Sequence, residues 1–254
     1  MKQRQHWPDR LWLLRHGQSQ GNVARDIADE AGHHEIAIDV RDVDVPLSKL
    51  GRRQAEAAGR WFADLPADQR PDVILSSPYV RARQTAMAIC EVLPGPPDQP
   101  ISDERLRERE FGIFDRLTTA GIRARFPDEA AHRKMLGKFY HRPPGGESWA
   151  DVILRLRSML NTINLHYSDR RVLVVAHQVV VLCFRYILEG LDEEEILAID
   201  KQADVLNCGI CAYDFEPDAR GLCVPALDLW NHGAPLEAEG AERTAERDMM
   251  TGSR

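Results

Sequence analysis

Leu11-Trp12-Leu13-Leu14-Arg15-His16-Gly17 (residues 11–17) sets four apolar residues directly before an arginine, a histidine and a glycine. Such a run, bounded by charged and turn residues, reads as a short strand buried on both faces. Two further runs have the same form. Val73-Ile74-Leu75 precedes Ser76-Ser77-Pro78, with Arg81 one turn on, and Val172-Leu173-Val174-Val175-Ala176 precedes His177-Gln178. Helical patterns lie between them. Gly51, Ala55, Ala58 and Phe62 follow Ser48 in helical register. Ser77-Pro78 reads as a cap followed by proline at the first helical position, ahead of Ala86, Ile89, Cys90 and Leu93 on one face. Trp149, Val152, Ile153, Leu156, Met159, Leu160 and Ile163 hold the 3.6-residue period over four turns after Ser148. A fourth stripe, from Val179 to Ile187, stops at Gly190. Alternation of this kind predicts an α/β fold: a mainly parallel sheet covered by helices on both faces.

Two segments break the alternation. Residues 94–146 begin with a proline-rich stretch and carry many charges with weak periodicity, which predicts an inserted lid. Residues 209–215 and 222–230 read as closing strands, a hairpin or edge pair. The expected organisation is one domain over residues 1–236 and a disordered tail over 237–254, which lacks aromatic core residues.

The chain has 254 residues, 43% hydrophobic and 29% charged, enough to bury roughly 70% of its unfolded surface without a metal or disulfide. Lys and Arg total 33 against 40 Asp and Glu, a net charge of −7, which argues against general nucleic-acid binding. No apolar run approaches the ~20 residues that span a bilayer, and the N-terminal apolar run is too short for a secretory segment. The five cysteines (90, 183, 208, 211 and 223) suit reduced thiols of a cytoplasmic protein. Cys208 and Cys211 have redox-motif spacing but lie in an apparent strand, where they would face opposite sides, so they read as core residues. His33-His34-Glu35 has no partner spacing for a metal, and the acidic stretch 26–44 reads as a mobile loop near the site mouth.

In open parallel sheets, ligands bind outside the carboxyl ends of the strands. The three strand ends would bring Arg15, His16, Arg81 and His177 into one crevice, with Arg81 in the first turn of its helix. Guanidinium forks, imidazoles and a helix N-terminus together make a phosphate-binding environment.

Residues 13–19 (Leu-Leu-Arg-His-Gly-Gln-Ser) with Asn22 resemble the signature of the histidine phosphatase (phosphoglycerate mutase-like) superfamily. So do Pro46-Leu47-Ser48 with Gly51, Gln54 and Ala55, Ser76-Ser77-Pro78 with Arg81-Ala82 and Thr85, and residues 172–177. Leu106-Arg107-Glu108 with Gly112, Leu117-Thr118, Ile122-Arg123, Gly146-Glu147-Ser148 and His177-Gln178 look most like the fructose-2,6-bisphosphatase branch. The resemblance implies a phosphohistidine intermediate, no cofactor and no required metal. It places His16 as nucleophile, Arg15, Arg81 and His177 on the phosphoryl oxygens, and Glu108 as general acid and base. Asn22, Gln178, Gly17 and Ser19 fall at substrate-binding positions.

The chain departs from the bisphosphatase pattern where a second phosphate would bind. Basic counterparts remain in Arg133 and Lys138, but Thr119 and Trp149 stand in for tyrosines and Leu182 for an arginine. Arg116 replaces a frequent glycine, and Phe111 replaces the tyrosine of the mutase branch. The expected function is hydrolysis of a small phosphorylated metabolite with a second anionic group, held by Arg133 and Lys138, with no nucleic-acid or membrane partner. Trp149 would either offer an apolar face to a bulky leaving group or serve as a core residue opening its helix stripe. The alternatives are a mutase and a phosphate-binding regulatory module, and no pattern assigns an oligomeric state.

Overall fold

The computed structural model describes residues 7–95, 97–217, 219, 222–233, 236–237 and 240–245. Six strands, β1 (Arg10–Arg15), β2 (Val73–Ser76), β3 (Ile101–Ser102), β4 (Arg171–Ala176), β5 (Ile210–Pro217) and β6 (Cys223–His232), form one sheet in the order β3-β2-β4-β1-β5-β6. The first four are parallel. β5 runs antiparallel to β1, and β6 pairs antiparallel with β5, as the closing hairpin requires.

The apolar runs of β1 and β4 are continuous because each face has its own helical cover. Leu11, Leu13, Val172 and Val174 pack with Trp149, Leu156 and Phe184 from α6 (Trp149–His166) and α7 (Gln178–Glu189). Trp12, Leu14, Leu173 and Val175 point the other way, onto Ala58, Phe62, Ala86 and Ile89 of α2 (Lys49–Asp64) and α3 (Val80–Val92). Each fully buried Leu, Ile, Val or Phe side chain among these contributes about 1.5–3 kcal/mol. Cys211 belongs to the first layer and Cys208 to the second, so the two thiols lie on opposite faces. Cys208 sits in the turn before β5 rather than in the strand, and burial pushes the Cys211 thiol up to about 12.

Several boundaries differ from the sequence-based expectation. α3 starts at Val80, because Ser77 still donates its N–H to Val175 O in the sheet (3.0 Å). The expected lid opens with β3, an edge strand whose two residues are too short a run to show a period. It continues through α4 (Thr119–Arg125) and α5 (Pro127–Tyr140), with Phe114, Leu117 and Ile122 as a small core of their own. Residues 26–44 are pinned. Residues 26–30 end α1 (Gln20–Glu30), and the Thr118 hydroxyl and N–H donate to the carbonyls of His33 (2.6 Å) and His34 (3.2 Å). Residues 240–245 of the expected tail are docked. Asn207 N–H donates to Thr244 O (2.9 Å), and the Gln54 amide donates to Glu242 O (2.8 Å) and to the Thr244 hydroxyl (2.9 Å). Residues 246–254 lie outside the described residues. Among the described residues, no helix is long and apolar enough to cross a membrane.

Candidate active site

Three strand ends meet at one crevice. β1 and β4 are neighbours, and His16 N–H still donates to Ala176 O (2.9 Å), which sets the first histidine beside the second. The rings of His16 and His177 stand 5.1 Å apart and inclined at 67°. β2, on the other side of β4, delivers Ser77 and leads into α3, which carries Arg81 in its first turn.

The tautomer of His16 follows from its two contacts. Nδ1 lies 2.7 Å from Gly17 O, which can only accept, so the ring proton resides on Nδ1. Nε2 accepts from Arg81 Nε at 3.2 Å, which requires a lone pair there. Burial, and then the charges of Arg81 and Arg15, hold the His16 pKa well below 6.5. The result is a neutral imidazole with its lone pair directed at the arginine that would hold a phosphoryl group. His177 is likewise depressed, by burial first and then by Arg81 and His16. Its Nε2 lies 2.8 Å from Ser77 Oγ, and Nδ1 is 3.5 Å from Glu108 Oε2.

The remaining polar groups orient these. Arg15 donates through Nη1 to Gln178 Oε1 (3.0 Å) and Val205 O (2.6 Å). The Asn207 amide donates to His16 O (3.1 Å) and its Oδ1 accepts from Thr244 Oγ1 (2.8 Å), so the docked tail supports the nucleophile loop. Glu108 lines the pocket with Oε1 fixed by its neighbour's N–H, Arg109 N, at 2.8 Å. Ser19 and Asn22 form the capping box of α1: Asn22 N–H donates to Ser19 Oγ (3.0 Å) and Ser19 N–H to Asn22 Oδ1 (2.8 Å). Both residues also line the pocket.

Some expected binding residues lie elsewhere. Gly17 does not line the pocket; it is a glycine because a Cβ there would collide with the backbone of Gly51 in α2. Lys138 turns away to Asp200 (2.6 Å) and lies over the Trp149 ring, and Arg133 is buried in α5 outside the pocket lining. Trp149 is fully buried in the core and offers no face to a substrate. These charges sit in a helix whose apolar residues have little periodicity, so the sequence did not show which way they point.

The pocket is instead walled by Ile36, Ile38, Val40, Phe111 and Phe114, with Arg25, Asp42, Asp115 and Arg116 among its polar residues. Asp42 has no motif; it is one of several carboxylates in an acidic stretch. Its carbonyl and Oδ1 accept from Arg81 Nη1 at 2.6 and 3.0 Å, and Oδ2 accepts from Nη2 at 3.2 Å. This fork turns Arg81 Nε toward His16 and also occupies donors a phosphoryl group would use. Asp42→Asn is therefore expected to let inorganic phosphate inhibit at roughly 3- to 10-fold lower concentration, in line with an ion pair worth about 1 kcal/mol, while kcat falls as Arg81 loses its orientation. Phosphate inhibition constants and kcat check both signs.

Comparison with known proteins agrees with this geometry. Residues 11–225 match the histidine phosphatase superfamily (branch 1). The chain belongs to that family. Among its relatives, a 2,3-bisphosphoglycerate-dependent phosphoglycerate mutase of Methylobacterium sp. (strain 4-46) is 34% identical over 194 residues, 75% of this chain and 85% of the mutase. A mycobacterial glucosyl-3-phosphoglycerate phosphatase, solved with VO3, superposes with a TM-score of 0.67 at 28% identity, covering 88% of this chain and 98% of the other. The α-ribazole phosphatase of Shigella flexneri shares the fold (TM-score 0.64, 21% identity, 88% of this chain and 96% of that one). The mutase and the glucosyl-3-phosphoglycerate phosphatase differ in the activity their names give, and the matches do not single out the fructose-2,6-bisphosphatase branch.

Proposed function

We propose that the protein is a metal-independent phosphomonoester hydrolase acting on a small phosphorylated metabolite through a phosphohistidine at His16. The observation that carries this reading is the neutral His16, with its Nε2 lone pair facing Arg81 in a buried crevice. In the first step Nε2 attacks phosphorus in line as the bond to the leaving oxygen breaks, and a protonated Glu108 gives that oxygen its proton. Arg81 Nε–H exchanges the imidazole for an equatorial phosphoryl oxygen, and Arg15 and His177 complete the set of donors. In the second step Glu108 takes a proton from water, the water oxygen bonds to phosphorus, and the P–N bond breaks to return neutral His16 and phosphate.

The guanidiniums of Arg15 and Arg81 supply the stabilising charge themselves, and among the described residues no three His, Cys, Asp or Glu side chains converge as metal ligands. Phosphate release from phosphorylated metabolites is expected to persist after exhaustive chelation. Loss of activity that one divalent ion restores contradicts the reading. The mutase is the second reading, favoured by the 34% identical relative. Phe111, where the mutase branch has tyrosine, speaks for hydrolysis, and stoichiometric free phosphate without a priming phosphodonor distinguishes the two.

A further inference from the structure

Beyond the phosphoryl site, the pocket wall carries two more guanidiniums, Arg25 and Arg116. Arg116 Nε lies 3.9 Å from Asp115 Oδ2. Burial, and then the charge of Asp42, push the Asp115 carboxyl up, and Arg116 and Arg25 oppose that rise without reversing it. Arg116 follows the short 310 turn Gly112–Phe114, and its backbone has φ +59°, a left-handed conformation that favours glycine over any residue with a Cβ. Its carbonyl accepts from Ile36 N–H (2.9 Å) and its Nη2 donates to Val40 O (3.0 Å), which fixes it across the pocket wall. The carbonyl contact would serve as well with glycine, so the fold alone does not call for an arginine there. A disfavoured backbone conformation that places a charged side chain on a ligand pocket points to a binding role.

The charge of the lining agrees. Arg15, Arg25, Arg81 and Arg116 face Asp42, Glu108 and Asp115. Asp42 is taken up by Arg81, and Glu108 lies against His177 where the leaving oxygen would be. A guanidinium reads carboxylate or phosphoryl oxygens through paired N–H groups. Between the two cationic ends, Ile38, Val40, Phe111 and Phe114 would cover an apolar body.

We propose that Arg116, with Arg25, is a specificity-determining residue that binds a second anionic group, carboxylate or phosphoryl, on the far side of the leaving group. This rests on the hydrolase reading only in placing the first phosphoryl group at His16.

The test reads binding, so its outcome is separate from turnover. Dissociation constants are measured on His16→Ala protein for 4-ethylphenyl phosphate, 4-(carboxymethyl)phenyl phosphate and 1,4-phenylene bisphosphate. The two doubly anionic esters are expected to bind about tenfold more tightly than the ethyl ester. In His16→Ala/Arg116→Gly that ratio should fall towards one, with no loss of thermal stability because glycine suits the backbone there. Arg116→Gln gives the same reading should the glycine variant fold poorly. Equal binding of all three esters, or a preference that survives both substitutions, overturns the proposal and leaves Arg116 a clamp between the lid and residues 36–40. If the preference is found but no ester is hydrolysed by the unmodified protein, the hydrolase reading fails and the anion site stands.

Discussion

His16→Ala is expected to reduce phosphate release by about 10⁴-fold or more, the scale on which loss of a nucleophile acts. No other described residue offers a neutral nucleophile between the same donors. His177, the other depressed histidine, has Nε2 at 2.8 Å from Ser77 Oγ and stands back against Glu108. The fold should survive the change. The His16 ring makes one hydrogen bond to its neighbour's carbonyl and one to Arg81, while its backbone N–H and carbonyl remain held by Ala176 O and the Asn207 amide. Steady-state kinetics alongside thermal unfolding separate loss of chemistry from loss of structure. Activity within tenfold of the parent protein would place the nucleophile elsewhere.

Glu108→Gln should cost about 10²–10⁴-fold on alkyl phosphates, the usual contribution of a general acid or base. The amide keeps the side chain's size but neither delivers a proton to the leaving oxygen nor takes one from water. An aryl phosphate leaves without much help, so the burst of phosphoenzyme formation should suffer less than the later release of phosphate. Glu104 and Glu110 occupy the same charged run, but neither lines the pocket. Their glutamine variants are expected to stay near the parent value. An unaffected Glu108→Gln on alkyl esters would remove Glu108 from the proton transfer.

The part of this site that strands and their ends supply was legible in the sequence. Burial on both faces makes residues 11–14 and 172–176 continuous apolar runs, and Arg15, His16 and His177 follow them directly. Arg81 was placed in the first turn of its helix even though the helix begins two residues later than Pro78 suggests. The pocket's outer wall was not legible. Ile36, Ile38, Val40 and Asp42 lie in a connection with no regular period, and what positions it is contact with residues 116–118, distant in sequence. Arg133 and Lys138 failed as a second anion site for a related reason: charge density on the inserted segment was visible, direction was not. Arg116 was visible only as a departure from a frequent glycine, and the positive φ explains both the glycine and the interest of the arginine. The docking of residues 240–245 rests on hydrogen bonds from Gln54 and Asn207 to the tail, which composition does not register.

The central claim is the phosphoryl group on His16 Nε2. The direct measurement is rapid-quench trapping of the protein during turnover of a ³²P-labelled phosphomonoester in the presence of chelator, followed by peptide mapping. The account predicts a base-stable, acid-labile label on the peptide containing His16, formed before phosphate appears and discharged as it is released. Phosphate release with no label on that peptide, or with the label on another residue, contradicts it.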